Sequence, residues 1–135
     1  MIRAALIAYV GAALVFCALD AGWLTLTGAS LYRPILAPML TDTPRLVPAV
    51  LFYAIYLAGV VLFAVTPAVR ARHWPTAAAL GAALGLVAYA TYDLTNQATL
   101  KLWSTEITLL DLSWGVVVTA IAATASYFAV KLAKV

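Results

Sequence analysis

Residues 74–97, WPTAAALGAALGLVAYATYDLTNQ, contain the two signals that decide the fold. The stretch is long and apolar enough to cross the hydrocarbon core of a bilayer, which takes about 20 residues of helix. Its last part, however, places Tyr89, Tyr92, Asp93 and Asn96 close together. This arrangement predicts a transmembrane helix that is polar at one end, and partners that this end must face.

The composition of the whole chain agrees with a membrane protein. Of its 135 residues, 66% are hydrophobic and only 10% are charged, and the mean hydropathy is +1.04. A soluble domain of this length has too little interior to bury so much apolar surface. We therefore predict an all-α integral membrane protein, a single domain over 1–135, whose four helices form an up-down bundle. The predicted spans are 3–27, 47–67, 74–97 and 107–131.

The connections between the spans differ in length and charge. Residues 28–46 form the longest predicted loop, and its segment LYRPILAPML is expected to lie along the membrane interface. Pro67 is expected to end the second span. Five basic residues lie on the side of the termini and three on the other, which favours cytoplasmic termini. The first group is Arg3, Arg70, Arg72, Lys131 and Lys134, and the second is Arg33, Arg45 and Lys101.

The net charge of +3 is scattered along the chain, so we expect the lipid bilayer rather than nucleic acid as a partner. The chain has one cysteine and one histidine, Cys17 and His73. It shows no HExxH, CxxC or glycine-rich phosphate loop, the motifs that hold metals or nucleotide cofactors. We therefore predict neither a metal site nor a cofactor.

The depth of the aspartates predicts a pocket. At about 1.5 Å per residue, Asp20, Asp93 and Asp111 each lie about 25–30 Å from the opposite end of their helices. Since the spans alternate in direction, all three should reach the same, outer, face of the membrane. Helical phase supports convergence, because residues 89, 92, 93 and 96 share one face. The predicted pocket residues are Asp20, Trp23, Tyr53, Tyr56, Tyr89, Tyr92, Asp93, Asn96, Asp111 and Trp114.

A purely structural interpretation of these residues stays open. Tyr and Trp concentrate at membrane interfaces whatever the function. The aspartates could be helix-end groups bonded to hydroxyl or backbone donors, and Asp111 would also suit a helix dipole. Against this, three carboxyl groups at one level with no basic residue inside the membrane are costly unless they share protons or meet a cation.

The chain resembles the DUF2177 family of uncharacterised bacterial integral membrane proteins over almost its whole length. The resemblance implies a small multi-span protein of the bacterial inner (cytoplasmic) membrane and no established catalytic residues. It also favours a lipid-linked role, because members resemble proteins encoded near fatty-acid-modifying enzymes. The pieces that carry it are LDAGWL (19–24), Tyr32, FYAIY (52–56), Pro67, YATYDLTNQATLKLW (89–103) and DLSWG (111–115).

Three functions fit these features. The first is a pocket that binds a small amphipathic or lipid-like ligand. The second is a membrane enzyme that acts on lipid with paired carboxylates. The third is a proton- or cation-coupled transporter, although no acidic residue lies in the cytoplasmic half. Gly81-x-x-x-Gly85 predicts close helix packing, and a homodimer through this pair or through Gly11 would widen a narrow bundle.

Overall fold

A computed structural model describes residues 2–134 and contains four long helical spans, with no strand among those residues. The first span, Ile2–Met39, comprises α1 (Ile2–Thr27), a π turn (Gly28–Tyr32), α2 (Arg33–Leu36) and a 3₁₀ turn (Ala37–Met39). The second span, Leu46–Ala71, comprises α3 (Leu46–Val60), a π turn (Val61–Val65) and α4 (Thr66–Ala71). The third span is α5 (Trp74–Thr99), and the fourth is α6 (Thr105–Leu132).

The prediction of an all-α four-span membrane protein is confirmed, because all four helices are long and apolar enough to cross a bilayer. Two of the predicted boundaries are wrong. Residues 28–46 were predicted as a loop, but helical structure continues to Met39, and only residues 40–45 connect the first two spans. The second span does not end at Pro67 but continues to Ala71.

Both corrections have the same physical cause. A proline within a helix lacks an N–H donor, and its ring clashes with the carbonyl four residues before it. In each case a π turn directly precedes the proline: Arg33 N–H bonds the carbonyl of Gly28 before Pro34, and Thr66 N–H bonds that of Val61 before Pro67. The wider turn lets the helix pass the proline without breaking.

The fourth span lies at the centre of the bundle. It packs most extensively against the third and also against the first, and it reaches the π turn of the second. Among residues 2–134 it is the most buried of the four, with 44% of its apolar window inside the protein. Much of the surface of the other three spans is left for lipid, including Leu14, Ile55 and Leu62.

Glycines permit the close contact between the third and fourth spans. A Cβ atom on Gly81 would lie 2.8 Å from the carbonyl oxygen of Thr119, and one on Gly85 would lie 2.7 Å from the carbonyl carbon of Gly115. The predicted close packing at this pair is therefore confirmed, and its partner is a helix of the same chain. Gly11 likewise faces the fourth span, where its Cβ would lie 3.3 Å from that of Ala129. A homodimer would have to use another surface.

The core changes character along the bundle axis. Towards the termini it consists mainly of Ala and Val, and Ser126 donates a hydrogen bond of 2.7 Å to the carbonyl of Ala8 across the first and fourth spans. Towards the other end the core contains aromatic and acidic side chains. This second end, where residues 40–45 and 100–104 connect the spans, is called the aspartate end below.

Candidate ligand-binding site

A cavity of about 670 Å³ opens at the aspartate end. Its volume falls in the range of about 300–1,000 Å³ that is typical of small-molecule sites. Every span contributes side chains to its wall, and so does the connection between the first two spans. The lining residues are Asp20, Trp23, Leu24, Gly28, Tyr32, Arg33, Leu36, Leu40, Pro44, Phe52, Ala88, Tyr89, Tyr92, Trp103, Asp111 and Trp114.

Asp20 joins three spans through its two carboxyl oxygens. The hydroxyl of Tyr53 on the second span donates to Oδ2 at 2.6 Å, and Nε1 of Trp114 on the fourth donates to Oδ1 at 3.1 Å. Each oxygen of this buried carboxyl group therefore has a donor. Through these two bonds Asp20 connects the first span to the second and the fourth.

Asp111 is held by the segment that was predicted as a loop. The hydroxyl of Tyr32 donates to Oδ1 of Asp111 and accepts a hydrogen bond of 2.9 Å from Nε1 of Trp23. In a regular α-helix Tyr32, nine residues after Trp23, would point about 180° away from it. The π turn at Gly28–Tyr32 turns less per residue, which brings Tyr32 back towards the cavity.

Asp93 differs from the other two aspartates. Its side chain is 0% exposed, and neither oxygen has a hydrogen-bond partner. Its carboxyl group lies close to that of Asp111, on the neighbouring helix. Two carboxylates only accept hydrogen bonds, so these two groups can bond each other only when one of them carries a proton.

Half of the other residues that line the wall are aromatic. The indoles of Trp23 and Trp114 stack in parallel, with centroids 4.7 Å apart and planes 6° apart. Tyr92 meets Trp103 edge to face at a centroid distance of 5.6 Å. The ring of Tyr89 lies directly against Gly115, where any Cβ would overlap it. These rings give the cavity large apolar faces beside its carboxyl groups.

The structure brings six of the ten predicted pocket residues to the cavity wall. Asp20, Trp23, Tyr89, Tyr92, Asp111 and Trp114 line it. The other four lie around it. Tyr53 bonds Asp20 from the side, Asp93 lies behind Asp111, Tyr56 shares a buried hydrogen bond of 2.8 Å with Thr119, and Asn96 is half-buried at the edge of the third span.

Sequence reasoning left ten of the sixteen lining residues out of the pocket, among them Tyr32, Arg33, Leu36, Phe52 and Trp103. Tyr32, Arg33 and Leu36 belong to the segment that was assigned to a loop, so their helical phase could not be used. One signal was available: Tyr32 is a landmark of the family resemblance. Within the described part of the chain, residues 2–134, no group of three or more His, Cys, Asp or Glu side chains converges to hold a metal ion.

The four apolar spans, with a cavity between them that is lined by aromatic rings and carboxyl groups, define a multi-pass membrane protein. The chain belongs to the family described as "Predicted membrane protein (DUF2177)", which it matches over residues 5–128. No curated protein and no solved structure gives a significant match to the chain.

Proposed function

We propose that this protein binds a small amphipathic or lipid-like molecule in the cavity at the aspartate end, in a role linked to membrane lipid. One observation carries the proposal, the cavity of about 670 Å³ whose wall combines stacked aromatic rings with buried carboxyl groups. A largely apolar pocket with a few convergent polar groups is the usual form of a small-molecule site. The polar part of a ligand would face Asp20 and Asp111, and its apolar part would lie between the rings.

We propose further that the protein lies in a bacterial inner membrane with its termini in the cytoplasm. Five basic residues on the side of the termini against three on the other support this orientation. The cavity would then open near the outer surface, where it is accessible to lipid headgroups of the outer leaflet.

Native mass spectrometry can test the binding function. The protein would be extracted gently from its own membrane and compared with A88W, because Ala88 lines the cavity and an indole there would fill much of it. The matched control is V87W, since Val87 is the neighbouring residue on the same helix and is 64% exposed to lipid. We expect a defined adduct on the wild type and on V87W that A88W lacks.

Two results would contradict the proposal. An adduct that A88W retains would show that the molecule binds elsewhere on the surface. No adduct on any of the three proteins, together with no binding of added amphiphiles, would leave the cluster with a structural role only.

A second candidate function is a membrane enzyme that acts on lipid. The observation in its favour is the Asp93–Asp111 pair, since two neighbouring carboxyl groups can divide acid and base roles between them. Turnover of an added lipid that depends on both residues would favour the enzyme over simple binding. Coupled transport has less support, because all five acidic residues belong to the aspartate end. No acidic residue is then left in the other half of the membrane to continue a path for protons or cations.

A further inference from the structure

The three buried carboxyl groups of the aspartate end have unequal numbers of donors. Asp20 has a donor on each oxygen, Asp111 has one from Tyr32, and Asp93 has none. Native proteins rarely leave a fully buried polar group without a partner, and an exception calls for an explanation. Here the exception lies directly beside a second carboxyl group that lines a cavity.

The buried carboxyl groups of Asp93 and Asp111 can be stabilised side by side in two ways. Two adjacent buried carboxylates repel each other strongly, so either one carries a proton or a cation lies beside them. A proton shared between the two oxygens would provide the missing hydrogen bond. A ligand with a positively charged nitrogen would serve equally well, and it could enter through the cavity that Asp111 lines.

The walls of the cavity also suit a cation. Tryptophan and tyrosine faces attract ammonium groups, most strongly where water is excluded. Trp23, Tyr89, Tyr92 and Trp114 all line the same cavity as Asp111. The aromatic rings and the carboxyl groups therefore favour the same kind of ligand, and the apolar surface between the spans leaves room for its hydrocarbon part.

We propose that the cavity binds an amphiphile with a positively charged nitrogen, and that this cation replaces a proton shared by Asp93 and Asp111. This inference rests on the proposed function and names its ligand class. The exchange balances in charge: one cation enters, one proton leaves to the solvent, and no covalent bond within the ligand changes. Binding and proton release are then the same event.

The other charged and titratable groups around the pair agree with this exchange. Asp20 on the first span lies near Asp111 but already accepts hydrogen bonds from Tyr53 and Trp114. Tyr32 donates a hydrogen bond to Asp111, and Tyr89 and Tyr92 line the same cavity; tyrosine hydroxyl groups ordinarily carry no charge at neutral pH. Arg33 is the one basic residue among those that line the cavity, and it is exposed. Solvent therefore screens its repulsion of a cationic ligand more than it screens the attraction between that ligand and the buried carboxylates.

A comparison of two probes with the same hydrocarbon chain tests the inference. Dodecylammonium and dodecanol would be titrated into the full-length protein in dodecyl maltoside, an uncharged detergent, with protein-free micelles as the blank. Calorimetry in two buffers of different ionisation enthalpy counts the protons released per ligand. We expect dodecylammonium to bind at least about tenfold more tightly than dodecanol, the factor that one charge-assisted contact supplies.

The pH dependence has a defined sign. Because the bound state has lost one proton, the affinity for dodecylammonium should rise by up to about tenfold for each pH unit while the pair is still protonated. The affinity for dodecanol should not follow this trend. D93N should release no proton and bind dodecylammonium at least about tenfold more weakly. D42N is the matched control, since Asp42 is exposed in the connection at the same end of the bundle.

The outcomes separate this inference from the proposed function. Equal binding of the ammonium and the alcohol would overturn the cationic ligand and leave the binding pocket intact. Tight binding of dodecylammonium without proton release would overturn the exchange. If neither probe bound and native mass spectrometry also found no adduct, both proposals would be wrong. The titrations of the wild-type protein with dodecylammonium and with dodecanol decide the test even if D93N does not fold.

Discussion

Two substitutions of the same kind, D93N and D20N, should change stability in opposite directions. Asparagine has nearly the shape of aspartate, so packing is preserved and the change is one of charge and hydrogen bonding. At position 93 the amide N–H₂ would donate a hydrogen bond to Asp111 in addition to that from Tyr32, and the two side chains would no longer need to share a proton. We expect D93N to stabilise the ligand-free protein by about 1–2 kcal/mol, the net contribution of one buried hydrogen bond that needs no added proton.

At position 20 the same change should be harmful. Both oxygens of Asp20 accept hydrogen bonds, from Tyr53 at 2.6 Å and from Trp114 at 3.1 Å. Asparagine offers one accepting oxygen only, and its amide would face a donor. The loss of a charge-assisted hydrogen bond and the resulting donor–donor contact should cost about 2–3 kcal/mol. The two variants should therefore differ by about 3–5 kcal/mol.

Thermal unfolding of the purified proteins in detergent, followed by intrinsic fluorescence, can measure this difference. For a chain of this length 1 kcal/mol corresponds to roughly 3–5 °C in Tm, so the two variants should lie roughly 10–25 °C apart. D42N should stay close to the wild type, because surface substitutions usually change stability by less than about 0.5 kcal/mol. If D93N unfolds at as low a temperature as D20N, Asp93 is a structural group and the reasoning about its missing partner is wrong.

Two further predictions depend on single contacts, and a third tests the orientation in the membrane. G85A should destabilise the protein by about 1–3 kcal/mol, because its Cβ would overlap the backbone of the fourth span. The control G22A, whose Cβ would meet nothing within 4 Å, should be neutral or slightly stabilising. Equal Tm values for the two variants would contradict the close helix packing. Y32F should lower the free energy of unfolding by about 1–3 kcal/mol, because Asp111 loses a donor and the indole N–H of Trp23 loses an acceptor. An unchanged Tm would contradict these bonds. In a chain whose single native cysteine is replaced by alanine, an impermeant maleimide should label D42C but not H73C in intact cells, and the reverse pattern would overturn the proposed orientation.

Several features of the fold follow from the sequence because they depend on local quantities. Span length depends on the number of consecutive apolar residues, and the depth of Asp20, Asp93 and Asp111 depends only on the rise per residue and the alternating direction of the spans. Close packing at Gly81 and Gly85 depends on side-chain size. The helical content, the number of spans and the convergence of the three aspartates could therefore be predicted.

Other features could not be derived from local rules. The first span was ended at residue 27 and the second at Pro67, and the sequence does not show that a π turn lets both helices continue past Pro34 and Pro67. Because of that error, Tyr32 and its neighbours were not included in the predicted pocket. Helical phase also places Asp93 and Asp111 on inward faces without showing that they meet each other rather than a donor.

Hydropathy and helical periodicity thus determined, from the sequence by itself, that the chain crosses a membrane four times and collects its acidic and aromatic residues at one end. Only the tertiary structure decided which carboxyl group is bonded, which has no donor, and where a cavity remains between them. The physical reason is that burial depth is a property of each helix alone. A hydrogen bond or a cavity depends on the relative rotation and spacing of several helices, to within about an ångström.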